Sequence, residues 1–386
     1  MRNVLNYMQL LAPVMILLAG FGMFLCALFA LIFGRWELTG LMFLIGIGFF
    51  VLLRFQFAWH THFAEGVRAP NKGQFDLAAR KLRDAERILT KSSVPSPALA
   101  LCSYALGEVY RQQSRLEEAE SLMRSSLAMR LGQWGPDHSQ TLQSTVGVAN
   151  VCLALGRYEE AELLLQRALA ITEKLRGTNH TDVGVCLNNL GKSFADRDDF
   201  VQAETYFRRA LVICERKRTS PVHAMVINNV AHACVHQGKA DEAEHLARQA
   251  LEKFERKCGP NHAWTAIALT TLARCLRLQN RLSEADEAAN RGLEIRQRQL
   301  DPDRPNIADS FECLGEIAES MRNVSEAKKV YLRALAIREQ ALPPGHSDTE
   351  ELRKKYDAIM QRFEDSSVPP TEVAANPQAI RIDKID

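Results

Sequence analysis

The sequence predicts an all-α protein, a superhelical solenoid of six to seven helix pairs preceded by a two-helix transmembrane hairpin. Two observations lead to this fold class. Small residues recur at a period of about 42 residues along most of the chain, and two long uncharged stretches stand at its beginning. A third observation, the lack of catalytic motifs in the sequence, favours binding over catalysis as the function.

The beginning of the chain predicts a membrane anchor. Residues 10–33 contain no charged side chain, and at about 1.5 Å per residue a helix of this length crosses a hydrocarbon core with some tilt. A second helix, at about 38–59, reaches spanning length if Arg54 extends its charge towards the lipid headgroups. The segment 34–37 is polar and short enough for a turn. We therefore expect a hairpin that contacts membrane lipid through residues 10–59.

Two kinds of signal sequence compete with this interpretation. The first uncharged stretch is too long for the apolar region of a cleaved signal peptide and lacks a small-x-small cleavage site. A lipoprotein signal typically has a small residue before its cysteine, where this chain has Leu25 before Cys26. We therefore predict an integral, two-pass membrane protein. Basic residues crowd the C-terminal flank of the second helix, so the positive-inside rule places the solenoid in the cytoplasm. These residues are Arg54, Arg68, Lys72, Arg80, Lys81 and Arg83.

Four sites of one repeat recur through the rest of the chain, and such periods indicate a repeated structural unit. The first site is an alanine that recurs at spacings of 42, 42, 40, 42 and 42 residues, at Ala119, Ala161, Ala203, Ala243, Ala285 and Ala327. Twelve residues before each alanine stands a small residue: Gly107, Ala149, Gly191, Ala231, Ala273 or Gly315. Leu or Val precedes this small residue each time, and another small residue follows each alanine after seven positions.

Each unit is predicted to be a pair of antiparallel helices. Apolar residues spaced three or four apart form a stripe, as Leu187, Leu190 and Phe194 do. The recurring small residue marks the place where two helices cross closely. Segments such as 135–138 and 177–180 begin with Gly, which is typical of a helix C-cap followed by a short loop. Because no single pair can bury its own apolar face, we expect the pairs to stack.

At these positions the chain resembles the tetratricopeptide repeat family, whose signature is Leu-Gly/Ala, then Ala, then Ala, at steps of 12 and 7 residues. The 42-residue period and the Gly-Pro-Asp/Asn-His linker are similar to the longer repeats of kinesin light chains. So are the Asn-Asn pairs at 188–189 and 228–229. The resemblance stops at the repeats, because kinesin light chains have a heptad coiled coil where this chain has its uncharged stretches.

The predicted domain layout combines the two patterns. It consists of a transmembrane hairpin at 1–60, a degenerate first repeat at 61–97, six repeats at 98–346, a capping helix at 347–364 and a disordered tail at 365–386.

Composition excludes several function classes. The chain has 48 basic and 46 acidic residues, and outside the first 60 residues the two signs balance at 45 each. A nucleic-acid-binding protein usually carries a basic excess on its folded part, so we expect no nucleic-acid partner. Nine cysteines without a C-x-x-C pair do not form a disulfide framework and suit a reducing compartment.

The resemblance implies a ligand groove lined by the first helix of each repeat. If the Gly/Ala site is counted as position 8, positions 2, 5, 9, 12 and 13 point into this groove. The predicted peptide-binding residues are Asn188, Lys192, Asn228, His232, His236, Thr270, Arg274 and Arg277. The last repeat presents acidic residues instead: Asp309, Glu312, Glu316 and Glu319.

This groove suits a protein or extended peptide with acidic residues, whose backbone amides would meet Asn188 and Asn228. In the competing interpretation these two asparagines are ordinary solvated positions. Likewise, Arg274 and Arg277 could pair with Glu312 or Glu316 of the next repeat rather than with a ligand.

Histidines offer a second kind of site. Those at the repeat linkers are expected to close the turns: His138, His180, His262 and His346. His232 and His236 stand four residues apart on one helix, which is metal-ligand spacing. No Glu lies between them as in H-E-x-x-H, and neither a P-loop nor a nucleophile elbow occurs. We expect neither a cofactor nor catalysis.

The sequence therefore predicts a membrane-anchored, non-enzymatic scaffold that binds a protein or peptide partner. One alternative is a structural factor that assembles a membrane complex through its hairpin, since Gly20, Gly22, Gly40, Gly46 and Gly48 permit close helix packing. An alternative of another class is a metal-dependent enzyme that uses His232 and His236.

Overall fold

The computed structural model describes residues 58–69, 74–91, 97–215, 221–299 and 305–367. These residues form fifteen α-helices and no strand, which confirms the all-α prediction for this part of the chain. The helices are α1 (58–68), α2 (Phe75–Thr90), α3 (Pro97–Gln112), α4 (Leu116–Trp134), α5 (Ser139–Ala154), α6 (Tyr158–Arg176), α7 (Thr181–Ala195), α8 (Phe200–Cys214), α9 (Pro221–His236), α10 (Ala240–Cys258), α11 (Ala263–Leu278), α12 (Leu282–Gln299), α13 (Pro305–Ser320), α14 (Val324–Ala341) and α15 (Ser347–Ser367).

The prediction of a two-pass integral membrane protein is contradicted. Across α1 to α15, every helix is either too short or too polar to cross a bilayer. The physical reason is that these helices carry charged residues on one side, as Glu159, Glu160 and Lys174 do on α6. The prediction was based on two stretches. The first, about 10–33, lies outside the described residues, and so does the second, about 38–59, except for positions 58 and 59. The predicted tail also lies outside them from residue 368 onwards.

The chain divides into two compact units, unit 1 (Met1–Ala233) and unit 2 (Cys234–Asp386). Within each unit, consecutive helices pack in pairs, such as α3 with α4, α7 with α8, α11 with α12 and α13 with α14. Each unit is thus an array of helical hairpins of the solenoid type.

The turn inside each pair uses a left-handed residue. Six residues at the repeat spacing have φ between 58° and 73°: Ser114, Gly156, Asp198, Gly238, Asn280 and Arg322. This conformation lets the chain reverse within about four residues, and the next backbone N–H returns to the first helix. In the second of these turns, for example, the Arg157 amide donates to the Cys152 carbonyl at 2.8 Å. Only two of the six residues are glycines.

The turn between pairs joins a glycine C-cap to a histidine N-cap. Gly259 has φ 100° and ψ 159°, and its amide donates to the Glu255 carbonyl at 3.0 Å. Three residues later, Nδ1 of His262 accepts a hydrogen bond from the Trp264 amide at 3.1 Å. The same cap recurs at His138, His180 and His346. The repeating histidines therefore satisfy an amide at the start of each following helix.

The recurring small residues lie where paired helices cross. The six alanines from Ala119 to Ala327 are fully buried. At Gly191, a Cβ atom would stand 2.5 Å from the ring of Phe207 on α8, closer than any real packing contact. Gly315 faces the ring of Tyr331 on α14 in the same way. A large aromatic residue on the second helix thus fills the space that glycine leaves on the first.

Candidate functional site

The first helices of successive pairs form one face in each unit. In unit 1, α3 contacts α5 and α5 contacts α7, and in unit 2, α11 contacts α13. The second helices of neighbouring pairs contact each other less. Since the first helices lie closer together, they form the inner surface of each array. We call the surface of α3, α5, α7 and α9 the first-helix face of unit 1.

A chain of asparagine amides crosses this face. Nδ2 of Asn229 on α9 donates to Oδ1 of Asn188 on α7 at 2.9 Å. Nδ2 of Asn188 points to Oδ1 of Asn189 at 3.4 Å. Asn188 is 2 % exposed, so it is a buried polar residue rather than the solvated one that the competing interpretation required. These amides tie two successive repeats together.

Asn228 occupies the same repeat position on α9 as Asn188 does on α7. Its side chain is 4 % exposed, and among the described residues its Oδ1 has no hydrogen-bond partner. A buried acceptor without a donor costs about 1–3 kcal/mol, so this atom is a place where a ligand N–H would be favourable.

The other two predicted residues of unit 1 are more accessible than the asparagines. Lys192, one turn after Asn188, is exposed. Its charge helps to lower the pKa of Glu108 on α3, and so it lies on the same side of the array as that carboxylate. His232 is half-buried, with its ring 6.1 Å from that of Phe200. In unit 1, Asn188 and Asn228 thus occupy the same position of two successive first helices, and Lys192 and His232 each follow one turn later on α7 and α9.

The predicted residues of unit 2 are engaged with their own chain. Nε of Arg274 lies 3.4 Å from Oε2 of Glu316, and Nη2 of Arg277 lies 3.7 Å from the same oxygen. The hydroxyl of Thr270 donates to the Ala266 carbonyl at 3.0 Å. The structure thus shows the ion pairs that the alternative interpretation of the two arginines named.

His236 ends α9 beside Arg274. Its side chain is exposed, yet the surrounding protein atoms partly desolvate the ring. This desolvation and the positive charge of Arg274 lower the pKa of His236 to about 4.

Sequence reasoning missed a buried ionic network at the end of unit 2. Oε1 of Glu312 accepts from Nζ of Lys355 on α15 at 2.6 Å, and Oε2 accepts from Nη2 of Arg338 on α14 at 2.7 Å. Burial raises the pKa of the Glu312 carboxyl, but Arg338, Arg274 and Lys355 outweigh it and hold the pKa at about 2. The carboxylates of Asp309, Glu312 and Glu316 are therefore paired with basic residues of the same chain.

The metal alternative gains no support from the geometry. In the portions of the chain that are described, neither His232 nor His236 belongs to a group of three metal-type ligands close enough to share an ion. That alternative and the expectation of no cofactor remain predictions.

Family comparisons agree with the repeat geometry. Two family models, both described as tetratricopeptide repeat, match the chain, one at residues 99–174, 140–216 and 223–298 and the other at 307–348. Together they cover more than half of the 386 residues. The chain belongs to the tetratricopeptide repeat family. Tetratricopeptide repeat scaffolds are generally non-catalytic. No curated protein matches the chain by sequence.

Solved structures show the same fold at low sequence identity. Aspartyl phosphate phosphatase F from Bacillus subtilis is 16% identical, with 80% of this chain and 76% of that chain covered and a TM-score of 0.60. The Rap conjugation gene regulator of the plasmid pLS20, in complex with the Phr* peptide, is 17% identical, with 72% and 77% covered and a TM-score of 0.51.

A third solved structure, "kinesin light chain nearly identical TPR-like repeats" from Podosopora anserina, is 20% identical, with 53% and 98% covered and a TM-score of 0.42. Membership of the tetratricopeptide repeat family, shown by the family models, is consistent with a protein-interaction scaffold.

Proposed function

We propose that this protein is a non-catalytic scaffold that binds an extended peptide segment of a partner protein on the first-helix face of unit 1. The observation that carries the proposal is Asn228, whose buried Oδ1 has no hydrogen-bond partner beside the Asn229–Asn188 amide pair. A backbone N–H of an extended peptide has the chemistry that this oxygen needs, and an extended peptide offers such groups at regular intervals.

A specific complex on this face requires several contacts with the ligand. A net hydrogen bond contributes about 1 kcal/mol, and more when a charge takes part. A micromolar complex needs about 8 kcal/mol, so several such bonds and at least one buried side chain of the ligand are required. The tetratricopeptide fold supports this mode of binding, since the similar Rap regulator is in complex with the Phr* peptide.

The arginines of unit 2 are not included in this ligand face. Arg274 and Arg277 already face the carboxylates of Glu312 and Glu316. A ligand carboxylate would have to displace these partners, and breaking a buried ion pair is costly.

Peptide selection tests the proposal. Peptides are selected from a random display library on the full-length protein, and their affinities are then measured for the wild type, for Asn188→Ala/Asn228→Ala and for Asn290→Ala. Asn290 is exposed on α12, so it serves as a control that also removes an asparagine amide. We expect the double variant to weaken binding at least about tenfold, because it removes the Asn228 acceptor and also the Asn188 amide that holds α7 to α9. Equal affinity for all three proteins would refute the proposal.

A further inference from the structure

Three of the second helices carry an arginine at the same repeat position. Arg130, Arg296 and Arg338 each stand eleven residues after the recurring alanine, on α4, α12 and α14. Their side chains are 0 %, 3 % and 6 % exposed, respectively. A buried guanidinium is costly unless carboxylates and hydrogen bonds compensate its charge, so the partners of these three arginines can be compared directly.

Arg338 shows the compensated arrangement. Its Nη2 donates to Oδ1 of Asp309 at 3.0 Å and to Oε2 of Glu312 at 2.7 Å. Its Nη1 donates to the carbonyl of Asp348 at the start of the next helix, at 2.8 Å. Both carboxylates belong to the first helix of the same pair, so the chain supplies its own counter-charges.

Arg130 lacks such counter-charges. Its Nη1 donates to the Gln140 carbonyl at 2.8 Å, to Oε1 of Gln143 at 3.2 Å and to Oγ of Ser144 at 3.0 Å. Nε and Nη2 are buried and have no hydrogen-bond partner among the described residues. Within the described ranges, no carboxylate oxygen lies within 4.0 Å of the guanidinium, which stacks 5.2 Å from the centroid of the Tyr104 ring.

The register of the repeats shows which carboxylates the first repeat lacks. The positions of Asp309 and Glu312, six and three residues before Gly315, correspond to Leu101 and Tyr104, six and three residues before Gly107. The first repeat therefore keeps the buried arginine but has uncharged residues where the last repeat has two carboxylates.

The nearby Glu108 does not fill this place. It accepts from Nε of Arg111 at 3.0 Å and from Nη2 at 2.6 Å, with a third bond from Gln112 at 2.9 Å. Its charge is thus held by a different arginine on its own helix.

Arg296 is an intermediate case. Its Nη1 donates to the Thr270 hydroxyl at 3.0 Å and to the Ser310 hydroxyl, both of which are neutral. The negative charge of Asp309 opposes the effect of burial on the pKa of Arg296. Asp309 stands thirteen residues after Arg296, in the following repeat. The residue thirteen positions after Arg130 is Gln143, which is neutral. Of the three arginines, only Arg130 has buried guanidinium nitrogens without a hydrogen-bond partner among the described residues.

We propose that Arg130 is a subsite for a carboxylate of the bound peptide, an Asp or Glu side chain. The carboxylate enters from the first-helix face and displaces the exposed side chain of Gln143, whose Oε1 accepts a hydrogen bond from Nη1 of Arg130. It then accepts hydrogen bonds from Arg130 in the way that Glu312 accepts from Arg338. This inference rests on the proposed function and adds the class of ligand, an acidic peptide.

The variant Gln143→Glu tests whether the subsite can accept a carboxylate, because it gives the chain a carboxylate of its own beside Arg130. Gln133→Glu makes the same change of charge at an exposed position of α4 and serves as the control. We expect Gln143→Glu to raise the thermal midpoint by about 2–4 °C over the wild type as well as over the control, since a charge-assisted bond replaces a neutral one. A midpoint no higher than that of the wild type would overturn the subsite.

Binding provides the second readout. The probes are a labelled (Gly-Glu)₃ peptide, a (Gly-Gln)₃ peptide and inorganic phosphate. We expect the wild type and Gln133→Glu to prefer the glutamate peptide over the glutamine peptide, and Gln143→Glu to bind the glutamate peptide at least about tenfold more weakly. No preference in the wild type overturns the inference, as does phosphate competing as well as the glutamate peptide.

The two proposals can fail separately. If selected peptides need Asn188 and Asn228 but Gln143→Glu changes neither readout, the peptide-binding function stands and the acidic subsite falls. If Gln143→Glu raises the midpoint but the asparagine variant binds all peptides normally, the proposed face is wrong.

Discussion

In several turns of this protein, a single non-glycine residue adopts the left-handed backbone conformation. Arg322 illustrates the point, because it is exposed and has a φ of 60° in the turn between α13 and α14. A non-glycine residue in this region is strained by about 1–2 kcal/mol. The turn is formed nonetheless, since the buried faces of the two helices determine where the chain reverses.

Replacing Arg322 with Gly is expected to stabilise the protein. Relief of strain is partly offset by the extra freedom of glycine in the unfolded chain, about 0.5–1 kcal/mol, so the net gain is about 0.5–1 kcal/mol. Urea denaturation measures this gain. Asn280→Gly should gain less, because asparagine tolerates the left-handed region. A loss of stability in Arg322→Gly would show that the turn is not strained.

The histidine cap at His262 makes stability depend on pH. Burial lowers the pKa of His262, so the unfolded state binds a proton more readily than the folded state. The contribution of His262 to stability is therefore fully present above the unfolded pKa of about 6.5, and it is lost as the pH falls below that value. Between pH 7.5 and 5.5 we therefore expect the free energy of unfolding to fall, because the lowered pKa of His262 makes proton binding favour the unfolded state. His262→Asn keeps a cap that accepts a hydrogen bond and should have a shallower slope; an identical slope would contradict this role.

At the scale of elements, the close crossing of paired helices is the main constraint. Gly191→Ala would place a methyl group 2.5 Å from a ring carbon of Phe207, so we expect a loss of about 1–3 kcal/mol. Gly132→Ala is the matched control, because a Cβ at that position of α4 meets nothing within 4 Å. Adding Phe207→Leu to Gly191→Ala should restore part of the loss, and chemical denaturation of the four proteins decides. Equal stability of the two alanine variants would mean that the crossing is not tight.

The last three helices are joined by the ionic network around Glu312. The variant Glu312→Gln removes the charge of this carboxylate. Asp309 is then the remaining close carboxylate of α13 for Arg338, and Glu316 is the remaining one for Lys355. Because a buried pair that loses one partner is destabilised by about 3–5 kcal/mol, we expect a loss near 3 kcal/mol. Glu339→Gln, an exposed ion-pair partner on α14, should cost less than about 1 kcal/mol. Similar losses in both variants would show that burial does not matter here.

The sequence was sufficient for features that repeat and insufficient for those that depend on one contact. The spacing of Ala119 to Ala327 predicted the helix pairs because a buried crossing tolerates only small residues. By contrast, no pattern indicates that Asn229 reaches across to Asn188, or that Lys355 meets Glu312. Those contacts depend on how one helix is rotated against the next, which local propensity does not specify.

For the whole molecule, composition and period indicated the class of function but not its location. The balance of 45 basic and 45 acidic residues after residue 60 argued against binding of nucleic acid through a basic surface. The tetratricopeptide repeat family is consistent with a face that binds protein. The prediction of a two-pass membrane protein was wrong, because no described helix is both long enough and apolar enough to cross a membrane. The groove prediction separated a basic centre from an acidic end, whereas in unit 2 the structure brings the two together, with Arg274 and Arg277 beside Glu316.

The most direct measurement of the central claim is photo-crosslinking of a selected peptide, labelled at its middle residue, to the full-length wild-type protein. The account predicts that the crosslinked sites, mapped by mass spectrometry, fall on the first helices α5, α7 and α9 and are lost in Asn188→Ala/Asn228→Ala. Crosslinks that concentrate on the second helices α4, α6 and α8, or that persist in that variant, would contradict it.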